Sequence, residues 1–377
     1  GVTLDNEMSV YHSRSCPSLL ESTGRSFLDS GDTASDTASA GEGSTSLREV
    51  CSEVGWPGPA SALAGVVVES GGFGKVSRVR VCGQECALKT VVLSQGASEP
   101  EEVRQRSERC RRELEVMRAI SRSSLAGGAL PSLHGARVLD SDDQSVCDIL
   151  MTYCPGHDLL AELNNSPQQR LQETRARAVC AEVAVALTEL HECGYVFVDL
   201  KPENICVNVR SGRVMLVDFD LAQPLAGPGP EFKSEEDESK RHLNFGGTVE
   251  YCAPEVILGS THTPASDFWQ LGILLYELLY GRSPFKGVNQ ERTFYNITMR
   301  RLEFPETPAI SQQCQSFLRK MLRRSMTTDG SSRVDPSTRL GAKGGLSELK
   351  THDFFASYDW DAMSDSTGPS GGKYRDF

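Results

Sequence analysis

Val196-Phe197-Val198-Asp199-Leu200-Lys201-Pro202-Glu203-Asn204, followed by Leu216-Val217-Asp218-Phe219-Asp220, is the stretch on which the reading of this chain turns. It sets a carboxylate, a lysine and an asparagine on one loop and a second carboxylate just beyond a short apolar run. Such a set can take a proton from a hydroxyl, neutralise a phosphoryl group in transit and hold magnesium. Taken singly, Asp199-Leu200-Lys201-Pro202 also reads as a turn and Asn204 as a cap. The conjunction, with an apolar strand between its halves, is what makes the signal specific.

Toward the N-terminus, Ser70-Gly71-Gly72-Phe73-Gly74-Lys75-Val76 lies between two apolar-alternating runs. Backbone amides without bulky side chains can lie over phosphates there, although a plain hairpin turn has the same composition. Lys89 follows in Cys86-Ala87-Leu88-Lys89, placed to reach the α- and β-phosphates of a nucleotide. Glu113, on the helical run through Arg111 to Met117, can pair with it; Glu115 is the alternative and faces about half a turn away. In this reading Asp199 accepts the substrate hydroxyl proton, Lys201 steadies the phosphoryl group, and Asn204 and Asp218 ligate magnesium.

The flanking pattern predicts two lobes. From Leu63, Val66 and Val68, then Val76, Val79 and Val81, then the Cys86–Lys89 run predict three antiparallel strands. A helix is expected after Ser98, with Glu99, Glu101 and Glu102 at its positive end. Strand-like residues then reach Ile149-Leu150-Met151. Beyond Gly156 the spacing turns helical, notably over 178–190 and over the almost wholly apolar 268–279. Strands first and helices afterwards imply an α+β arrangement: a small β-rich lobe over 60–152 and a larger helical lobe over 153–363. Residues 1–56, rich in Ser, Thr, Asp and Gly, are expected to be disordered, as is the tail over 364–377. Residues 224–244 and 324–337 read as loops.

A formal charge of -12 argues against unaided binding to nucleic acid or to an anionic membrane. No apolar run is long enough to span a bilayer. The 12 cysteines are scattered, without Cys-x-x-Cys pairs or zinc-ligand spacing, which fits a reduced intracellular protein of the cytoplasm or nucleus. Cys82 and Cys86 flank a short turn but read as ordinary strand residues. No secretory signal heads the sequence; it starts at Gly1, as a processed or trimmed product would, so that observation weighs little.

From about Leu63 to Met363 the chain resembles the eukaryotic-type protein kinases. Gly247-Thr248-Val249-Glu250-Tyr251-Cys252-Ala253-Pro254-Glu255 is similar to the end of their activation segment, which here covers 218–255. Asp267-Phe268-Trp269-Gln270-Leu271-Gly272 is similar to the buried helix beneath it, and Arg339 fits the arginine that pairs with the carboxylate at Glu255. Leu349-Lys350-Thr351-His352-Asp353-Phe354-Phe355 with Asp359-Trp360 resembles the end of the catalytic core in AGC-type Ser/Thr kinases. The resemblance implies ATP and magnesium as cofactors. It implies a nucleotide pocket of Gly71, Gly72, Phe73, Gly74, Val76, Ala87 and Lys89, with Met151 as gatekeeper and Thr152 to Cys154 as hinge. It also implies protein substrates with basic residues before the target, met by Asp158, Glu203 and Glu277, and a pocket of Phe245, Val249 and Cys252 for the residue after the hydroxyl. A regulatory protein or hydrophobic-motif segment at the smaller lobe is the further partner expected; Tyr374-Arg375-Asp376-Phe377 is too short to be that motif.

Three positions depart from the family pattern. Glu69 replaces the first glycine of the phosphate loop, Val198 the arginine before the catalytic aspartate, and Asp220 the glycine that ends the metal-binding triplet. Asn244 stands where AGC kinases carry the phosphorylated threonine, and Gln223 where a further basic partner is expected. Phosphate acceptor and phosphate receptor are therefore missing together, and activation independent of that phosphorylation is expected. The run Ser234-Glu235-Glu236-Asp237-Glu238-Ser239 reads as a solvated charge run or as a regulatory element. Asp220 is expected to make the metal loop less mobile. The alternative to an active kinase is a pseudokinase that keeps the fold as a scaffold; the intact Lys89, Glu113, Asp199, Lys201, Asn204 and Asp218 argue against it.

Overall fold

Alternating apolar residues build a five-stranded antiparallel sheet: β1 (Gly65–Gly71), β2 (Gly74–Val81), β3 (Gln84–Gln95), β4 (Leu133–Asp140) and β5 (Gln144–Thr152), in the order β1-β2-β3-β5-β4. The structure is a computed structural model that describes residues 46–57, 65–71, 74–123, 128–225, 248–326 and 334–361. The two-residue period of β3 sorts its side chains by face. Ala87, Val91 and Leu93 join the main core, and Lys89 shares their parity, whereas Cys86 and Leu88 join Val79 and Leu150 in a small cluster on the other face.

Helix α1 (Leu47–Val54) lies before the sheet, inside the segment whose composition predicts disorder. The physical reason is local. Ser46 and Glu49 form a reciprocal capping box, and Leu47, Val50 and Cys51 are buried on one side, with Val54 packed against the same core. The rest of that expectation, residues 1–45, lies outside the described residues. Helix α2 (Pro100–Arg122) starts with proline in its first turn and buries Cys110, Glu113, Leu114, Met117 and Ile120 along one stripe. Glu99 is its N-cap residue but makes no side-chain capping bond; Glu101 pairs with Arg104 instead, at 2.7 Å.

The larger lobe is built on two helices. In α4 (Glu173–Glu192), which follows the short α3 (Leu159–Asn165), Ala176, Val179, Cys180, Val183 and Leu187 are buried at helical spacing. It packs against α6 (Pro264–Tyr280), which follows α5 (Pro254–Ile257) and is buried on nearly every side. A capping box of Thr263 and Ser266 starts α6. Gly281 ends it at φ 68°, where a Cβ would meet the Gln169 carbonyl at 2.7 Å. Small ladders lie between these helices and the sheet: β6 (Gly156–Asp158), β8 (Ile205–Asn208) and β9 (Val214–Leu216) form one, β7 (Tyr195–Val196) and β10 (Gln223–Pro224) another. Helices α7 (Gln290–Met299) and α8 (Gln312–Met321) complete the lobe. The fold is thus the two-lobed α+β arrangement expected, with one hydrophobic core running through both lobes.

Two loop expectations change in detail. Gln223 and Pro224 pair with Val196 and Tyr195, so the first loop starts after them; residues 226–247, including Phe245, Asn244 and the acidic run, lie outside the described residues. In the second, Ser325–Met326 pairs with Val334–Asp335 as a short ladder, and Pro336–Thr338 forms a helical turn. The expected tail lies outside the described residues. None of the described helices is long and apolar enough to cross a membrane.

Candidate active site

The sheet and α2 bring the first charged cluster together. Lys89 donates from Nζ to both Glu113 oxygens, at 2.7 and 2.8 Å, and to Asp218 Oδ1 at 2.8 Å. Glu115 binds Arg111 instead, so helical periodicity separates the two glutamates as expected. Burial works against the Lys89 charge, but Asp218 and Glu113 hold its pKa well above the ordinary lysine value. Burial pushes Glu113 up to about 7 against the pull of Lys89, with Asp218 adding repulsion. Desolvation by the surrounding protein would raise Asp218; Lys89 outweighs that and keeps it below the usual carboxylate value. Three carboxylates, counting Asp220, thus share one ammonium, and the most enclosed of them carries the strain.

The catalytic-loop cluster is fixed from a different side. Lys201 Nζ lies 2.6 Å from Asp199 Oδ2, and Asn204 Nδ2 donates to the Asp199 carbonyl at 2.8 Å and to Oδ2 at 3.1 Å. Thr248 donates its backbone N–H to Asp199 Oδ1 at 2.9 Å. Beneath the loop, Asp267 accepts from the backbone N–H groups of Phe197 and Val198, at 2.8 and 3.0 Å, and bonds His191 at 2.7 Å. Gln270 accepts from Leu200 N–H and donates to the Val198 carbonyl. These contacts hold Val198 at φ 75°, a conformation that a β-branched residue rarely adopts. The Val198 side chain is 1% exposed and apolar, so it offers no cation to a phosphate.

Of the residues that the sequence singles out for the nucleotide, Ala87 and Met151 face each other across β3 and β5, and Val76 stands opposite Lys89 in the β2–β3 register. Cys154 is buried beyond them, while the Thr152 hydroxyl accepts from Ser132 N–H at 3.0 Å. Gly71 and Gly74 close the β1–β2 hairpin; Gly72 and Phe73 lie outside the described residues. At Gly74 a Cβ would stand 2.1 Å from the Thr90 carbonyl oxygen, so that side of the hairpin tolerates no side chain.

The carboxylates expected to meet basic substrate residues all carry raised pKa values, each mainly through burial. Asp158 caps α3 by accepting from Ala161 N–H at 2.6 Å, and Glu277 accepts from the Tyr251 hydroxyl. Asp158 and Asp199 add repulsion at Glu203, and Glu250 and Glu203 add it at Glu277. The result is a patch of negative potential beside Asp199. Val249 lies in the helical turn Val249–Tyr251 and Cys252 is buried just after it. Further along, Arg339 grips Glu255 with two bonds of 2.7 and 2.9 Å, both residues being almost wholly buried.

Three contributors escaped the sequence reading as site residues: Thr248, Asp267 and Gln270. Asp267 and Gln270 carry a usable signal, since polar residues inside an otherwise apolar helix need partners. Thr248 carries none beyond its place before the helical turn.

The donor set suits a hard cation. Asp218 supplies carboxylate and Asn204, whose amide nitrogen is spent on Asp199, leaves its Oδ1 without a donor among the described residues. The structure thus brings together a loop-borne carboxylate with a neighbouring lysine, a lysine–glutamate pair on a β-rich lobe and a group of carboxylates beside them. The model of the protein kinase domain matches residues 65–355, and the chain belongs to that family. Relatives include the serine/threonine-protein kinase nrc-2 of Neurospora crassa, 40% identical over 233 residues, which cover 56% of this chain and 36% of the relative. Phototropin-2 of Oryza sativa subsp. japonica is 38% identical over 232 residues, 57% of this chain and 24% of that one. Serine/threonine-protein kinase KIPK1 of Arabidopsis thaliana is 29% identical over 361 residues, covering 77% and 36%. The chain therefore spans well under half the length of these curated relatives.

Proposed function

We propose that the chain is an active Ser/Thr protein kinase that uses ATP and magnesium and favours basic residues before the target. The observation that carries it is the fixing of the Asp199 carboxylate by Lys201, Asn204 and Thr248, which leaves a base positioned beside a cation and a metal ligand. In this reading Asp199 takes the hydroxyl proton, Lys201 neutralises charge on the transferring group, and Lys89, oriented by Glu113, holds the nucleotide phosphates. Asn204 and Asp218 would hold magnesium, which supplies neutralising charge to the phosphates when bound. The hairpin at Gly71 to Gly74, with Val76, Ala87, Met151, Thr152 and Cys154, forms the nucleotide pocket. Asp158, Glu203 and Glu277 receive arginine or lysine from the substrate, and Phe245, Val249 and Cys252 line the pocket beyond the target. The segment 218–255 works without phosphorylation of its usual threonine. The relatives' names support the Ser/Thr assignment.

The test is transfer from labelled ATP to basic Ser/Thr peptides with magnesium. We expect Asp199→Asn to lower kcat by roughly 10²–10⁴ while leaving the fold intact. Alanine in place of the peptide's basic residues should raise KM in the native chain, and less so in Glu203→Ala. Nucleotide binding without any transfer would sink the proposal in favour of a scaffold.

A further inference from the structure

Residues 46–57 touch the machinery from outside at points that bracket Glu113. Helix α1 packs against both α2 and β4. Val50 and Cys51 are 1% and 4% exposed, so the helix is seated rather than draped. On α2, Cys110, three residues before Glu113, is buried in the same core cluster as Cys51 and Cys147 of β5. Five residues after Glu113, Arg118 binds Glu53 at 2.5 Å. The segment thus reaches α2 on either side of the residue that orients Lys89.

Its second anchor is the sheet edge. Arg48 makes two bonds to Asp140 at the end of β4, at 2.8 and 2.9 Å. Past the helix, the Gly55 carbonyl accepts from Ala136 N–H at 2.9 Å, which satisfies part of an edge strand. The Arg137 guanidinium lies 3.9 Å from the Trp56 ring and binds Asp148 at 3.0 Å. Asp148 in turn accepts from Thr90, the neighbour of Lys89, at 2.7 Å. Gly135 is shaped to this contact: a Cβ there would stand 2.5 Å from Pro57 Cδ. Both partners of the Lys89–Glu113 pair are therefore connected to the segment, one through α2 and one through Arg137, Asp148 and Thr90.

We propose that residues 46–57 are a built-in positioning segment that holds α2 against the sheet and so keeps Glu113 on Lys89. The proposal rests on the kinase reading for its consequence and on geometry alone for its mechanism. A helix packed on one face of a lobe pivots easily; contacts on both sides of Glu113 remove that freedom. Leu47, Val50, Cys51 and Glu53 are then positioning residues, acting through α2, and the chain carries within itself what would otherwise come from a separate segment or subunit.

The test introduces a charge into the seat, Val50→Asp, in the full chain, and reads three quantities: thermal unfolding, kcat and KM for ATP with a basic peptide, and the rate at which an amine-reactive acylating reagent modifies Lys89. The expected result is a folded protein with kcat/KM for ATP about tenfold lower and Lys89 acylated several-fold faster, because a side chain released from its two bonds to Glu113 is more open to the reagent. If Val50→Asp does not fold, Glu53→Arg and Arg118→Glu replace it, and the double swap should restore the native acylation rate. A folded variant with native acylation and kinetics would overturn the proposal. The acylation rate needs no turnover, so a native chain that transfers no phosphate would overturn the kinase reading and leave this one standing on its own measurement.

Discussion

The two charged clusters of the candidate active site are held in opposite ways. Asp199 sits on a loop whose backbone is bonded to Asp267 and Gln270, side chains 0% and 3% exposed on a helix buried on nearly every side. Lys89 and Glu113 bridge a sheet and a helix of the smaller lobe, and Lys89 divides itself between Glu113 and Asp218, whose side chain is 44% exposed. Moving the base requires breaking the core of the larger lobe. Separating Glu113 from Lys89 requires only that α2 shift against the sheet. Regulation is therefore cheap at the N-lobe pair and expensive at the catalytic loop.

The comparison breaks most visibly at Asp267. Asp267→Ala removes the acceptor of two buried backbone N–H groups and of His191, leaving all three without their partner. We expect a loss of about 3 kcal/mol in unfolding free energy, read as a lower denaturant midpoint. Transfer activity should fall further than the folded fraction does, since only Gln270 would then hold Val198 at positive φ. A variant with native stability would mean that the loop, not α6, sets its own shape.

The N-lobe pair should answer to pH where the catalytic loop does not. With Glu113 pushed up to about 7, protonation below that pH deprives Lys89 of a charged partner. The kcat/KM for ATP should then decline as pH falls through 7, and Glu113→Gln should flatten that limb at a lower plateau. Stability moves the other way. The folded pKa lies above the ordinary value of 4.5, so the folded chain binds the extra proton more tightly. This contribution to stability is complete below about 4.5 and is lost as pH rises to about 7. Activity and stability changing in the same direction over this window would contradict the assignment.

Much of this was legible because the chemistry is written in short, local motifs. Asp199, Lys201 and Asn204 fall within six positions, and the spacing along one helix is enough to prefer Glu113 over Glu115. The pairing of Glu255 with Arg339, distant in sequence, was legible only through resemblance. What stayed hidden was hidden for physical reasons. Helix α1 is one capping box and four apolar residues inside a Ser- and Gly-rich stretch, and averaging composition over that stretch erased it. The hold of Asp267 on residues 197 and 198 depends on a packing of helix against loop that no spacing encodes. Asp158 reads from the sequence as a substrate contact; what the structure shows is that its carboxylate caps α3, a task the sequence does not distinguish from the expected one.

The subtlest difference between the clusters lies in the contact that joins them, Arg109 with Asp220. Arg109 precedes Glu113 by four residues and so shares its side of α2, and its guanidinium lies 3.8 Å from the carboxylate that replaces the family's glycine. Burial and the nearby Asp218 raise the Asp220 pKa, while Lys89 and Arg109 pull against that rise. The pair is partly exposed, at 44% and 27%, so its coupling energy should be modest, about 0.5–1 kcal/mol in a double-mutant cycle of Arg109→Ala and Asp220→Gly. Asp220→Gly alone removes negative charge beside Asp218, so magnesium should bind a few-fold more weakly in a titration with nucleotide present. Arg109→Ala alone leaves that charge uncompensated and should shift the titration the opposite way. If both single variants moved magnesium affinity in the same direction, the contact would be acting through α2 rather than through the metal site, and the two clusters would be coupled by position instead of by charge.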